Sequence, residues 1–251
     1  MEKKILQKLD IHLSKVILLR DAFSEEVVAA GMQIRTFQGG KPVVKPGGYC
    51  LFLNMEMEEF EIEIESPIYQ NRKVLLKTDH GETVEEVFLY PSAAYPLKNN
   101  ATIVVGNARP KSVLRFHLEE DVNECKLLCD YQEGEERISI FTRERSKAKS
   151  RVWFVRDKEK KTGEYFQVQN FSSESGICQL KQPLSSGYRK KDAVLYQAFE
   201  CIADENGEFY LPLARLKEQK YKLYYSCAEA GEKHLREVEI QGTKKNLILE
   251  S

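Results

Sequence analysis

Apolar and polar side chains alternate with a period of two along most of the chain. The clearest case is the segment 60–65, in which Phe60, Ile62 and Ile64 alternate with three glutamates. In a β-strand this period places the apolar side chains on one face and the carboxylates on the other, whereas a helix would scatter the glutamates around its circumference. The segment is therefore predicted to be a half-buried β-strand.

Similar segments follow one another through the rest of the sequence, with turn residues between them. Pro42, Pro67 and Pro91 separate several of the early segments, as the chemistry of turns requires. Helical patterns are confined to residues 5–13 and 213–220. The other predicted strands include residues 15–19, 32–37, 49–53, 74–77, 84–89, 113–118, 125–131, 138–141, 152–155 and 165–168. The sequence therefore predicts an all-β fold.

The order of strands in the first third of the chain recurs in the last third. Asp204-Glu205-Asn206-Gly207 predicts a tight hairpin turn, because Asn-Gly readily adopts positive φ angles. After this turn, segments 208–213, 221–225, 238–240 and 247–249 match 48–53, 60–64, 74–76 and 87–89, and before it 177–180 and 192–199 match 15–19 and 31–37. Either a diverged internal duplication or the shared strand pattern of β-sandwiches explains the match.

A loose stretch at residues 93–100 separates the first third from a meander of evenly spaced strands. We therefore expect three parts: β-sandwich module 1 at 10–92, a central β-meander module at 100–172 and β-sandwich module 2 at 176–251. The predicted fold class is all-β, with immunoglobulin-like or transthyretin-like β-sandwich modules in series with a central β-meander.

Several short motifs in the first third occur in the order that one family of seven-stranded sandwiches uses. They are Val16 and Leu18, Asp21-Ala22-Phe23, Gly31-Met32-Gln33-Ile34, Gly47-Gly48-Tyr49, the alternating strand at 60–64 and Ser66-Pro67-Ile68-Tyr69. On these residues the N-terminal third, and more weakly the C-terminal third, resembles the carboxypeptidase regulatory-like (transthyretin-like, CNA-B-like) domains. Ser24-Glu25-Glu26 replaces the usual threonine-glycine turn, and Ile68 stands where the family has glycine. The resemblance implies a fold and transfers no active site.

Composition excludes several classes of partner. The 251 residues carry a net charge of -1, which argues against a dedicated nucleic-acid binder. No apolar run approaches the roughly 20 residues that a membrane span requires. The amino terminus lacks the apolar stretch and cleavage site of a secretory signal, so a cytoplasmic location is expected.

Cysteine and histidine provide no recognisable catalytic or metal site. Cys125 and Cys129 lack a second cysteine or histidine pair nearby, so we expect buried reduced thiols, no metal and no cofactor. The sequence contains no arrangement of nucleophile, base and orienting group, and it is predicted not to be an enzyme. The four histidines are isolated from one another at His12, His80, His117 and His234.

Two charged tracts are the candidate interaction surface. The acidic strip comprises Glu59, Glu61, Glu63 and Glu65, preceded by Glu56 and Glu58. The basic tract comprises Arg143, Arg145, Lys147, Lys149 and Arg151, and it continues to Arg156, Lys158, Lys160 and Lys161. The acidic strip is typical of the solvated face of an edge strand, where charge deters aggregation, and is alternatively a surface for a cation or a basic partner. The basic tract is suited to a phosphate or an acidic protein surface. Docking of the two tracts head-to-tail between subunits is a further hypothesis.

The leading functional hypothesis is a non-enzymatic structural or adaptor protein that uses its modules for protein–protein assembly. A component of a large particle, such as a phage-tail-like or contractile injection apparatus, is one such role. A carbohydrate- or surface-binding module that uses Trp153 or Tyr224 is the alternative. A small enzyme with an unrecognised site near His117 or Cys125 is the second alternative.

Overall fold

The computed structural model contains β-strands and connecting turns. It describes residues 10–37, 40–97, 101–119, 125–142, 151–160, 162–172, 175–213, 216–227 and 235–248. No helix occurs in these residues, including the described parts of the two segments with a helical pattern. The all-β prediction is confirmed. The chain divides into two compact units, Met1–Pro96 (unit 1) and Leu97–Ser251 (unit 2).

Unit 1 is a sandwich of two sheets. One sheet has the strand order β3-β4-β1-β7 and the other has the order β2-β5-β6. Their inner faces meet in one apolar core, in which the ring of Phe52 lies 5.1 Å from that of Phe60. The strands are β1 (Leu13–Asp21), β2 (Gln33–Thr36), β3 (Val43–Val44), β4 (Tyr49–Leu53), β5 (Glu59–Glu65), β6 (Arg72–Lys77) and β7 (Val84–Leu89).

Unit 2 has a three-stranded sheet in the order β16-β8-β19 and a nine-stranded sheet in the order β10-β11-β14-β13-β12-β15-β9-β17-β18. Contact between Phe116 of β9 and Phe209 of β16 places the two sheets face to face. The strands are β8 (Thr102–Asn107), β9 (Val113–Leu118), β10 (Cys125–Leu127), β11 (Arg137–Thr142), β12 (Val152–Asp157), β13 (Gly163–Phe171), β14 (Ile177–Leu180), β15 (Ala193–Ile202), β16 (Glu208–Leu213), β17 (Lys220–Cys227), β18 (Arg236–Gln241) and β19 (Lys245–Ile248).

Unit 2 repeats the strand pairing of unit 1. Strand β8 pairs antiparallel with β16 and parallel with β19, as β1 pairs with β4 and with β7. Strand β17 lies between β9 and β18 and is antiparallel to both, as β5 is between β2 and β6. The four matches that the sequence predicts after Gly207 are confirmed. They are β4 with β16, β5 with β17, β6 with β18, and β7 with β19.

The two upstream matches of the predicted repeat are wrong. The counterparts of β1 and β2 are β8 and β9, and not residues 177–180 and 192–199. Residues 177–180 form β14, which pairs with β11 and β13. Strand β15 occupies the place of β3 in chain order, but it pairs with β9 and β12 instead of β16. Alternation identifies a strand and leaves its partner unspecified, which explains the mismatch.

Strands β10 to β14 are therefore an insertion between the second and later strands of the repeated sandwich. They have their own core, which includes Trp153, Ile140 and Phe166, and to which Leu195 of β15 also belongs. Strand β15 pairs with β12 through Ala193–Ala198 and with β9 through Ala198–Ile202, so it joins the insertion to the sandwich. The expected modules 100–172 and 176–251 thus lie in one compact unit, because a single nine-stranded sheet runs through both.

The turn at Gly207 differs from its predicted role. Its φ of 86° and the hydrogen bond from its N–H to the Asp204 carbonyl, 3.1 Å, agree with the predicted tight turn. The flanking strands β15 and β16 lie in different sheets, so the turn is not a hairpin. A hydrogen bond of 2.8 Å from the N–H of Ala108 to the Gly207 carbonyl instead directs the chain across to β8.

Candidate interaction surfaces and buried polar sites

The acidic strip lies on the outer face of β5. Its glutamates alternate with buried Phe60, Ile62 and Ile64, as the sequence predicts. The strand is central in its sheet, between β2 and β6, so the interpretation as an edge strand is wrong. Two-residue alternation gives the same pattern for a central strand with one solvated face as for an edge strand.

Basic side chains on the neighbouring strands pair with the strip. Arg35 of β2 lies 3.0 Å from Glu65, Lys73 of β6 lies 3.6 Å from Glu61, and Lys77 of β6 lies 3.2 Å from Glu59. Exposed pairs of this kind contribute only about 0–1 kcal/mol each. Their main effect is on the surface potential, because they convert an acidic strip into rows of alternating charge.

The equivalent strands of unit 2 carry the opposite arrangement of charge. The central strand β17 presents Lys220 and Lys222, and the neighbouring β18 presents Glu239 and Glu237 at 2.7 and 3.2 Å from them. In unit 1 the central strand is acidic and β6 is basic, whereas in unit 2 the central strand is basic and β18 is acidic. The repeat therefore reverses the sign of charge at its last two antiparallel strands.

Four residues of the predicted basic tract lie outside the described residues: Arg143, Arg145, Lys147 and Lys149. Arg151 is described, and its guanidinium donates a 2.9 Å hydrogen bond to Glu200. The Glu200 side chain is 3% exposed, so Arg151 contributes to a largely buried ion cluster as well as to the tract.

The residues around Glu200 form a buried polar cluster that the sequence pattern does not predict. The carboxylate accepts hydrogen bonds from Arg115 Nε at 3.0 Å, Arg151 at 2.9 Å and Gln167 Nε2 at 2.7 Å. The donors come from β9, the residue before β12 and β13. Three donors satisfy most of the acceptor capacity of one carboxylate, so the cluster holds four segments of unit 2 together.

His117 occupies the middle of the same sheet face and is buried. Its cross-strand partner on β15 is the small residue Ala198. The imidazole ring of His117 stacks on the ring of Phe154 of β12, with 4.0 Å between the ring centroids. Tyr224 stacks at 5.2 Å, and the hydroxyl of Tyr165 lies 2.8 Å from Nδ1. The imidazole is thus a packed member of an aromatic stack.

Burial, together with the smaller effect of the charge of Arg156, lowers the pKa of His117 to about 3. The imidazole is therefore neutral at neutral pH. Burial also raises the pKa of Tyr165 above its ordinary value. A general base that works near neutrality needs a pKa near 7, and His117 departs far from that range.

We expect unit 2 to lose stability as the pH falls from about 6.5 toward 3, in part through His117. In this window the unfolded chain binds a proton at His117 and the folded chain does not, so the free energy of unfolding decreases by about 1.4 kcal/mol per pH unit. The His117→Phe variant should lack this component. Urea unfolding followed by the emission of Trp153, the single tryptophan, measures the difference.

His12→Phe is the matched control for this prediction, because His12 is exposed. The free energy of unfolding of unit 2 in this variant should equal that of the wild type, because His12 lies in unit 1. Parallel pH profiles of wild type and His117→Phe would show that His117 is already accessible to protons in the folded state.

Asp21 is the corresponding buried polar site of unit 1. It accepts hydrogen bonds from the hydroxyls of Tyr69 at 2.7 Å and Tyr95 at 2.5 Å, and from the backbone N–H groups of Phe23 and Ser24. Burial and the Asp21 carboxylate raise the pKa of both tyrosines. The hydrogen bond between Asp21 and Tyr69 thus joins two of the sequence motifs in one buried network.

No protein-family model matches the sequence, and no curated protein matches it. Among solved structures, the shaft pilin SpaA from Lactobacillus rhamnosus GG is similar over 95% of this chain and 97% of its own, with 8% identity and a TM-score of 0.23. The module CBMbc (family CBM26) of Eubacterium rectale Amy13K, in complex with maltoheptaose, is similar over 94% of this chain and 90% of its own, with 9% identity and a TM-score of 0.18. Both TM-scores are low, so the fold is defined by the strand pairing of this chain itself.

The remaining candidate groups are mostly in the cores. Burial raises the pKa of Cys50 to about 11 and that of Cys178 to about 12, so neither thiol is activated. Trp153 is 0% exposed and cannot stack on a sugar in this fold. In the part of the chain that the structure describes, no group of three His, Cys, Asp or Glu side chains is placed to hold a metal, and no helix could cross a membrane.

Proposed function

We propose that the chain is a non-enzymatic structural or adaptor protein that assembles with other proteins through its β-sandwich modules. The observation that carries the proposal is the position of its ionisable groups. In the interior, Glu200, Asp21 and His117 are each engaged by neighbours in the fold. The exposed charges lie in ordered rows on sheet faces that end at the edge strands β6 and β18.

A more specific proposal is that both sandwiches are carboxypeptidase regulatory-like domains and that the chain is incorporated into a large particle in the cytoplasm. The motif order in unit 1 and the repeated pairing in unit 2 support the first part. A phage-tail-like or contractile injection apparatus is one particle of suitable construction, because modules in series can connect successive components.

Capture of the tagged full chain from its native source tests the assembly function. We expect one or more other proteins to co-elute with it in size-exclusion chromatography at a fixed stoichiometry, measured by native mass spectrometry. A tag-only capture is the control. Recovery of the chain without a stoichiometric protein partner, from cells that express it at its natural level, would contradict the proposal.

A further inference from the structure

Strands β6 and β18 are equivalent edge strands of the two sandwiches. Within the described residues, β6 pairs with β5 alone and β18 pairs with β17 alone. An edge strand presents unpaired N–H and C=O groups on its outer side, which another extended strand can use. The backbone groups that face outward can be identified from the hydrogen bonds at the end of each ladder.

On β6 the outward groups belong to Lys73, Leu75 and Lys77. The N–H of Thr78 donates to the Glu58 carbonyl at 2.8 Å, so the backbone of Thr78 faces β5. Because successive residues of a strand face opposite sides, residues 77, 75 and 73 face away from β5. The side chains of all three are exposed, and that of Leu75 reaches 62%.

On β18 the outward groups belong to Glu237, Glu239 and Gln241. The N–H of Gly242 donates to the Gln219 carbonyl at 2.9 Å, so the backbone of Gly242 faces β17. The side chain of Asn246 occupies the outward side at Gln241, bonding its N–H at 2.8 Å and its carbonyl at 2.9 Å. The outward backbone groups of Gln241 are therefore already bonded to Asn246. The outward backbone groups available to another strand are those of Glu237 and Glu239.

The charges on the two edges determine which pairings are favourable. Two β6 strands would place lysines opposite each other, and two β18 strands would do the same with glutamates, and like charges across strands are destabilising. A β6 strand beside a β18 strand places lysine opposite glutamate. The repeat thus has edges that disfavour self-pairing and are complementary to each other.

We propose that β6 of one molecule adds antiparallel to β18 of a second copy of this chain. This inference rests on the proposed assembly function and adds a second copy of the chain to the proteins with which it assembles. Lys73 lies opposite Glu239 and Leu75 opposite Glu237 in the joined sheet. Glu63 is the cross-strand partner of Lys73 and Lys222 that of Glu239, so one row reads Glu63, Lys73, Glu239, Lys222 and alternates in charge across four strands.

The contact is heterologous, because it joins different surfaces of the two copies. After one contact, the first molecule still has its β18 edge free and the second still has its β6 edge free, so the pairing continues from copy to copy into a ring or a filament. Interfaces below about 1,200 Å² are typical of weak, transient complexes, so association by one short strand depends on protein concentration. It also weakens at high ionic strength, where charges are screened.

Sedimentation velocity of the full chain over a concentration series tests the proposal. We expect the average mass to rise with concentration at low ionic strength and to approach the monomer value in about 1 M salt, where the Debye length is about 3 Å. Leu75→Pro removes an outward N–H that β5 does not use, and an edge strand tolerates proline at such a position. This variant should stay monomeric, whereas Leu75→Thr, which keeps the N–H, should associate like the wild type.

A mixing experiment identifies the two edges. Glu239→Pro should also be monomeric alone, because its acidic edge is blocked. Glu239→Thr keeps the N–H and loses only the charge opposite Lys73, so it should still associate, at a higher concentration than the wild type. An equimolar mixture of Leu75→Pro and Glu239→Pro should form a dimer and nothing larger, since each variant retains the edge that the other lacks. Absence of this dimer, or a Glu239→Pro variant that dimerises alone, would overturn the proposal.

A pair of charge variants covers the case in which a proline variant does not fold. Lys73→Gln with Lys77→Gln should shift association to higher concentration, while Lys41→Gln with Lys45→Gln, which removes two exposed lysines elsewhere on unit 1, should not. Equal shifts for both pairs would exclude the β6 edge. A wild-type chain that is monomeric at all concentrations, yet co-elutes with other proteins from its native source, would refute the inference and leave the proposed function intact.

Discussion

Replacing Glu200 with glutamine is expected to lower the free energy of unfolding of unit 2 by about 3–5 kcal/mol, the range measured when one partner of a buried ion pair is removed. The glutamine retains one carbonyl oxygen, but its amide donors would face Arg115, Arg151 and Gln167, which are donors themselves. The change therefore removes a buried negative charge from between two guanidiniums.

Urea unfolding followed by the emission of Trp153 measures this effect, because Trp153 of β12 is buried in the core of the inserted strands. Glu208→Gln is the matched control, since Glu208 is an exposed glutamate of β16 in the same unit. Equal midpoints for the two variants would show that the Glu200 cluster is hydrated and contributes little to stability.

Replacing Asp21 with alanine is expected to destabilise unit 1 by about 3 kcal/mol or more, since hydrogen bonds to a charged group contribute about 1.5–3 kcal/mol each. The change removes the acceptor of the Tyr69 and Tyr95 hydroxyls and of two backbone N–H groups. The hydroxyl of Tyr69 is left in a buried environment without this partner.

Hydrogen exchange followed by mass spectrometry is the measurement, because unit 1 has no tryptophan. Amides of β1 and β7 should exchange at least about 100-fold faster in Asp21→Ala than in the wild type, the factor that corresponds to roughly 3 kcal/mol. Glu56→Ala, at an exposed glutamate, should leave the exchange rates unchanged. Unchanged rates in both variants would mean that Asp21 is exposed to water in the folded state.

Local alternation was sufficient to predict most strands, and β5 shows why. Its three inward side chains are large and apolar and its outward ones are all glutamates, so one strand carries the whole signal. Strand β8 was missed because its inward positions are Thr102, Val104 and Gly106, while Ile103 and Val105 point outward. Gly106 is required by packing, since a Cβ atom there would overlap the backbone carbonyl of Ile248 and lie 2.8 Å from the ring of Phe209.

Because the alternation does not predict β8, the predicted second sandwich begins at residues 177–180 instead of at β8. The two upstream matches of the repeat are wrong for this reason. The inserted strands β10 to β14 separate β9 from β15 in the sequence, and the local pattern does not record which strands will pair across such a distance. The parallel pairing of β8 with β19 joins residues near the two ends of unit 2, such as Ile103 and Lys245.

The polar sites depend on the same long-range pairing. Arg115 and Arg151 are 85 and 49 residues from Glu200 in the sequence, so no local motif connects them. The sequence showed the acidic strip but not its neutralisation, because Arg35, Lys73 and Lys77 come from separate strands. The reversal of charge between β6 and β18 became visible only when the equivalent strands were known.

Unit 2 repeats the strand pairing of the unit 1 sandwich, and its strands β8 and β19 pair although the insertion lies between them in the sequence. Disulfide formation between paired cysteines tests this pairing directly, because a bridge requires the Cα atoms to lie within about 7 Å. Val105 and Leu247 are register partners, so Val105→Cys with Leu247→Cys should form a bridge under mild oxidation, identified by peptide mass mapping. A bridge in Ile177→Cys with Leu247→Cys, and none between positions 105 and 247, would instead make residues 177–180 the first strand of the second sandwich and contradict the account.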